Sequence, residues 1–216
     1  MNKNVWVRSH WLQKISFAAI TLLSLSACLS LPEGPGDPSR HYGLLPAKSS
    51  CSATSPSTLK LAITRVASGL EGDRITQLSG RSGEMVFIGN MRWASNTQML
   101  LEQRLAQDLE TAGFTVITSH HKLAATRELN CELRALNLWE DGSAAYDTLD
   151  KKTVRQAHFG LSCALYDPIA QSSRVIIAEG SSHLEQLRAD EIAKALSESY
   201  HQGFTNLCIG LTSTGT

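Results

Sequence analysis

Apolar and polar residues alternate along much of the chain after residue 58, which is the pattern of strands with one buried face. The first such stretch, LKLAITRV at 59–66, is also rich in branched residues. Further along, the turn signal SGRSG separates two shorter strand-like stretches and therefore predicts a hairpin. The predicted strands are 59–66, 75–78, 84–88, 114–119, 128–140, 157–166 and 174–185.

Two other stretches repeat their apolar residues at helical spacing. Ser95 and Gln98 fit a capping box at the start of the first helix, and Gly113 is placed to end it. The second helix is predicted to begin at Asp190 and to reach about Cys208. Their apolar stripes are Leu101, Leu105, Leu109 and Ala112 in the first helix and Ile192, Leu196, Gly203 and Leu207 in the second.

The order of these elements is strands, helix, strands, helix. Long hairpins with two segregated helices predict an α+β fold. We expect a mainly antiparallel sheet with the two helices packed on one face.

The first 27 residues have the features of a secretory signal peptide. Lys3, Arg8 and Lys14 precede or border a mostly apolar, uncharged run at 15–27, and no acid occurs there. The run is too short for a membrane-spanning helix, which needs about 20 residues. It ends in LSAC at Cys28, which resembles a bacterial lipobox.

Resemblance to bacterial lipoproteins implies that Cys28 takes a diacylglycerol thioether and, after cleavage before it, an N-acyl chain. We expect these covalent lipids and no other cofactor. Two or more acyl chains anchor a protein firmly in a membrane. Leu29, and not Asp, follows Cys28; by resemblance to enterobacterial sorting signals, this favours the periplasmic face of the outer membrane of a Gram-negative bacterium. An ordinary signal peptide with an unmodified cysteine is the alternative.

Composition suggests three segments. Five of the six prolines lie between Pro32 and Pro56, so the chain is predicted to comprise a signal peptide (1–27), a lipidated cysteine with a flexible tether (28–57) and a periplasmic α+β domain (58–216). After residue 27 the chain has 17 Lys and Arg residues against 20 Asp and Glu residues. This balance gives no electrostatic case for binding nucleic acid.

Four cysteines remain after Cys28. The periplasm is oxidising, so an even number permits two disulfides with three possible connectivities. Cys131 and Cys163 lie in alternating strands, whereas Cys51 precedes the first strand and Cys208 lies in the last helix. We favour Cys51–Cys208 and Cys131–Cys163, with four buried free thiols as the alternative.

Catalytic and metal-binding motifs are missing from the sequence. It has no HExxH, CxxC or G-x-S-x-G motif, no P-loop and no dinucleotide-binding glycine motif. His120 and His121 are adjacent, so on a strand they would point to opposite faces and could not easily share one metal ion. The acids of the first helix, Glu102, Asp108 and Glu110, are expected on a solvated face. We therefore expect neither an enzyme nor a metal site.

Two aromatic residues are candidates for partner contact. Trp139 stands beside Glu140 and Asp141 at a strand end, where an exposed ring can meet a partner. Tyr42 lies in the predicted tether with Leu44 and is expected to dock onto the body.

Several of these elements, in order, resemble the ABC-type transport auxiliary lipoproteins. Behind the lipobox comes a Y-x-L-x-P element at 42–46, then a strand of the type L-x-[IV]-x-x-V at 61–66. A segment ending in R-W-A at 92–94 precedes the amphipathic helix LLEQRLAQDLETAGF and a strand. Late in the chain, a long alternating strand ends in a D-P turn at 167–168, followed by a return strand and a closing helix.

This resemblance implies an accessory component of a lipid (or solvent or toxin) transport system built around mammalian-cell-entry (MCE) domain proteins. A cytoplasmic ATPase and a permease would be the other partners, and the lipoprotein would dock the conduit at the outer membrane. Self-association is compatible with that role. The alternative is a lipoprotein that activates cell-wall synthesis or outer-membrane assembly machinery.

Overall fold

Eight strands and two helices form the part of the chain that the computed structural model describes, residues 39–47, 51–53, 57–118, 125–140 and 155–213. All seven predicted strands are present, as β2 to β8. β1 lies further towards the N-terminus and was not predicted. The elements are β1 (Arg40–Tyr42), β2 (Thr58–Val66), β3 (Arg74–Ser79), β4 (Met85–Trp93), α1 (Thr97–Thr111), β5 (Thr115–Thr118), β6 (Arg127–Glu140), β7 (Arg155–Asp167), β8 (Ser172–Leu184) and α2 (Ala189–Thr212).

The long strand β6 is the centre of the sheet. One edge of β6 pairs with β7, and β7 pairs with β8, both antiparallel. The other edge pairs in parallel with β2 along its first half and with β3 at its end. β5 lies beside β2, β4 beside β3 and β1 beside β4. The α+β class is confirmed; most paired residues are antiparallel, as expected, but parallel pairs make the sheet mixed.

Parallel pairing arises where long connections bring strands together. The chain between β2 and β5 contains the β3–β4 hairpin and α1, which is enough for a crossover between parallel neighbours. Alternation of apolar residues indicates one buried face and is typical of antiparallel strands. β2 alternates in burial although both of its neighbours are parallel to it.

Both helices cover one face of the sheet, as predicted. α1 packs on β2 and β5, and α2 packs on β8 and β7. The α1 stripe Leu101, Leu105 and Leu109 is fully buried. α2 approaches β8 so closely that a Cβ at Gly180 would overlap the carbonyl oxygen of Ser199. Glycine at this position therefore permits the close helix–sheet contact.

The start of α1 differs from the predicted capping box. Asn96, and not Ser95, is the N-cap, and its side-chain oxygen accepts a 2.8 Å hydrogen bond from the amide of Met99. Gln98 instead donates its side-chain amide to the carbonyl of Ile63 in β2, at 2.7 Å. Asn is as good an N-cap as Ser, so the cap moves one residue while Gln98 ties the helix to the sheet.

Both favoured disulfides are present in the structure. Cys51 is bonded to Cys208, with 5.7 Å between their Cα atoms. Cys131 and Cys163 are direct partners on β6 and β7, with 4.0 Å between their Cα atoms. The first disulfide links the start of the folded body to its last helix, and the second joins two central strands.

Removing the Cys51–Cys208 disulfide by a double Cys→Ala substitution is expected to lower the free energy of unfolding. Its 157-residue separation gives about 5 kcal/mol in the chain-entropy relation. The same relation gives about 4 kcal/mol for Cys131–Cys163, separated by 32 residues. Urea unfolding of this variant, and of the corresponding double Cys→Ala variant for Cys131–Cys163, measures both values. Four free thiols in nonreducing alkylation of the unmodified domain would contradict the pairing.

Candidate functional site

The segment through which the chain enters the folded body is the candidate functional site. We call residues 39–47 and 51–53 the entry segment. β1 pairs in parallel with the end of β4, and the carbonyl of Tyr42 accepts a 2.7 Å hydrogen bond from the amide of Ala94. The amide of Ala53 donates to the carbonyl of Ala112, at 2.8 Å. These residues therefore belong to the folded body and not to a flexible tether.

Helix α2 holds the middle of the entry segment. Leu45 donates its amide to the Ser197 hydroxyl at 3.2 Å, and its carbonyl accepts from Nε2 of His201 at 3.1 Å. Leu44 is buried in the core. Leu45 itself is exposed, so backbone hydrogen bonds, and not its side chain, fix this point.

A buried carboxylate lies beneath the entry segment. Asp108 of α1 is 2% exposed, and its Oδ2 accepts from the amide of Ala47 at 3.2 Å and from the Tyr200 hydroxyl at 2.7 Å. Arg104, one turn earlier, donates from Nε at 3.0 Å and from Nη2 at 2.5 Å. One charged group thus joins α1, α2 and the entry segment.

The solvated position expected for Asp108 is wrong. Asp108 follows Leu101 by seven residues and stands next to Leu109, so it falls on the buried stripe of α1. Its charge is tolerated because the carboxylate is paired and accepts several hydrogen bonds. The helical spacing of Asp108 was the sequence signal that could have placed it in the core.

Burial fixes the role of Tyr200 in this network. Burial, followed by the negative charge of Asp108, raises the pKa of the Tyr200 phenol well above its usual value. The phenol therefore stays protonated and remains the donor to Asp108. The ring packs edge-on against Phe159, with 5.4 Å between ring centroids. The arrangement therefore fixes α1, α2 and the entry segment relative to one another.

The two predicted partner-binding aromatics lie apart. Tyr42 is half-buried in β1 and packs on the core, as expected for docking. Trp139 is half-buried at the end of β6, beside Gly80 and 5.8 Å from the ring of His158. They occupy opposite ends of the β3–β4 hairpin, so the structure does not combine them into one surface. Partner contact by Trp139 stays a prediction. Cys28 lies outside the described residues.

A polar groove of about 380 Å³ lies between the end of β8 and the start of α2. Its charges are mixed in sign. Among residues 39–213 that the structure describes, no three His, Cys, Asp or Glu side chains are placed to hold a metal ion. The groove is lined by His183, Glu185, Gln186, Arg188, Glu191, Lys194, Ala195 and Glu198.

Within the described ranges, neither helix has the length and apolar content needed to cross a membrane.

The pKa of His158, on β7, is lowered by burial, while the nearby negative charge of Glu179 acts in the opposite direction.

The sequence matches no family model and no curated protein. Solved structures nevertheless have a similar fold. Protein XCC0632 from Xanthomonas campestris, described with the family model DUF330, has a TM-score of 0.62 and 16% sequence identity, covering 80% of this chain and 95% of that one. An uncharacterized protein has a TM-score of 0.59 and 15% identity, covering 79% and 97%. The chain therefore shares its fold with a DUF330 protein.

Proposed function

We propose that this chain is a noncatalytic, lipid-anchored accessory component of an MCE-type ABC transport system for lipid or a related apolar cargo. It would be held by Cys28 at the periplasmic face of the outer membrane and would dock the conduit there. The observation that carries the proposal is that a lipobox-like LSAC at 25–28 and a fold shared with a DUF330 protein occur in one chain. The ordered elements that resemble the auxiliary lipoproteins add to it.

The entry segment suits an anchored protein. Any pull on the chain between Cys28 and Ser39 reaches the body first at β1, which is hydrogen-bonded to β4. Beyond it, the Cys51–Cys208 disulfide links the same segment covalently to α2. Even where β1 separates from the sheet edge, the disulfide keeps the chain from Cys51 onwards attached to α2.

In the role we propose, the chain binds its partners through its surface and catalyses no reaction. The ATPase would supply energy, the permease would pass the cargo and the MCE protein would shield it across the periplasm. This chain would hold the distal end of that conduit at the membrane. The half-buried Trp139, at the end of β6, is our candidate for contact with the MCE protein.

Crosslinking in living cells tests the proposal. The affinity-tagged full chain, crosslinked and purified from detergent-solubilised membranes, should bring down an MCE-domain protein. An unrelated tagged outer-membrane lipoprotein, treated identically, is the control and should recover none. Recovery of cell-wall synthases or outer-membrane assembly proteins in place of an MCE protein would reject the transport role.

A further inference from the structure

We propose that two copies of this chain pair through strand β8, so that their sheets join antiparallel across a two-fold axis at Val175. The contact consists of residues 173–177 of each copy, which we call the edge window. This inference goes beyond the transport role proposed above and does not depend on it.

The outer edge of β8 is open along most of its length. β8 has 13 residues and, among the described strands, pairs only with β7, without a register shift. It contains no proline and no lysine, which are among the features that keep exposed edges from pairing. A long, regular edge of this kind is a template for pairing with another strand.

Helix α2 closes one part of this edge and leaves the edge window open. The side chain of Gln202 accepts a hydrogen bond from the Ser181 amide at 3.0 Å, and that of Asn206 donates to the Glu179 carbonyl at 2.7 Å. Because backbone groups alternate in direction along an antiparallel strand, the odd-numbered residues of β8 point these groups away from β7. In the edge window, the same groups have no partner among the described residues.

The edge window exposes apolar side chains on the face of the sheet opposite the helices. Val175 is 68% exposed and Ile177 49%, and the third side chain on this face is Ser173. Arg174 lies on the helix side, where its guanidinium donates to the Ser213 carbonyl at 2.7 Å. A pairing strand would therefore cover apolar surface without burying an unpaired charge.

A second copy fits the edge window by symmetry. With the two-fold axis at Val175, this residue faces its own counterpart, and Ser173 faces Ile177 of the other copy. The three outward residues of each copy then exchange six hydrogen bonds, two for each facing pair. Glu179, the nearest acid on this face of β8, lies four residues from the axis, so its two copies are about 27 Å apart. The pairing uses the free backbone groups and brings no like charges of β8 together on this face.

The position of Ile209 in α2 favours a second copy over a separate strand. Ile209 is 59% exposed and follows Asn206 by three residues, so it shares the helix face that is turned to the edge. At the next residue, Gly210, an added Cβ would overlap the Ile176 side chain, so Ile209 lies level with the edge window. In a sheet joined by a two-fold axis, both α2 helices lie on the same face, side by side. A second copy thus supplies a helix that covers Ile209, whereas an isolated strand has none.

Site-directed crosslinking of the full chain, expressed at its natural level in living cells, tests the inference. Val175→Cys places a thiol beside its counterpart at the axis. Ile169→Cys is the matched control, because Ile169 is 83% exposed but its two copies would lie at least about 20 Å apart in the joined sheet. A short bismaleimide should therefore link Val175→Cys into a dimer about tenfold more efficiently than Ile169→Cys.

A charged substitution tests the same contact without moving the thiol. Ile177→Lys, combined with Val175→Cys, should lower the yield of dimer by about tenfold, because lysine on an edge strand opposes pairing. Ile177 is exposed, so this change leaves the core intact. Ile169→Lys in the same Val175→Cys chain is the control and should leave the yield unchanged.

Every outcome supports or contradicts the pairing. Equal dimer from Val175→Cys and Ile169→Cys, no dimer from Val175→Cys, or an undiminished dimer with Ile177→Lys would overturn it. Crosslinking of residue 175 to a different protein would also overturn it and would assign the edge to that protein. Mass spectrometry identifies the linked peptides, so a dimer through Cys28 would count against the proposed lipid anchor and not in favour of this pairing.

Discussion

Replacing Asp108 by alanine is expected to lower the free energy of unfolding by about 3–5 kcal/mol, the usual cost of removing one partner of a buried ion pair. The substitution leaves the Arg104 guanidinium without its carboxylate. It also leaves the Tyr200 hydroxyl and the Ala47 amide without their acceptor. Because the carboxylate is almost fully buried, water cannot readily replace these hydrogen bonds.

Two further variants make this prediction specific. Tyr200→Phe removes one hydrogen bond to a charged group and should cost about 1.5–3 kcal/mol. Glu110→Ala changes an exposed acid on the same helix and should stay within about 0.5 kcal/mol of the parent. Urea unfolding of the three variants gives the comparison. A loss for Asp108→Ala no larger than that for Glu110→Ala would show that the network contributes little.

Replacing Cys28 by alanine is expected to abolish lipid attachment. The variant has no thiol to carry a diacylglycerol, so cleavage before residue 28 should also fail, and outer-membrane fractionation should be lost. Each buried CH₂ contributes about 0.8 kcal/mol, so the loss of two or three chains removes essentially all stable anchoring. Metabolic labelling with a fatty acid probe measures the change.

Ser30→Ala is the matched control for the anchor, because it alters a small residue just after the cysteine and leaves the thiol in place. It should retain the label of the parent. Undiminished labelling of Cys28→Ala would refute the identification of the lipobox.

The strands and helices were predictable because the alternation of apolar residues and their helical spacing follow burial directly. The antiparallel pairing of β3 with β4 and of β6, β7 and β8 was predictable as well. The parallel pairing of β2 and β3 with β6 was not, since these strands reach β6 only through long connections. β1 was missed because a three-residue strand in a proline-rich region has no periodic pattern. Its existence depends on pairing with β4, a contact formed only in the folded chain.

The candidate site was predicted in part. The packing of Tyr42 on the core and the Cys51–Cys208 disulfide were expected from the sequence. The network around Asp108 was not, because a charged residue on an amphipathic helix is usually solvated. Its position on the stripe of Leu101 and Leu109 could have indicated burial, but nothing in the sequence indicated its partners in the entry segment and α2.

Intact-mass analysis of the native protein, purified from membranes, tests the central claim most directly. The account predicts a polypeptide that begins at Cys28 and carries a diacylglycerol and a further acyl chain on that residue. A mature protein whose residue 28 bears no fatty acid would contradict it.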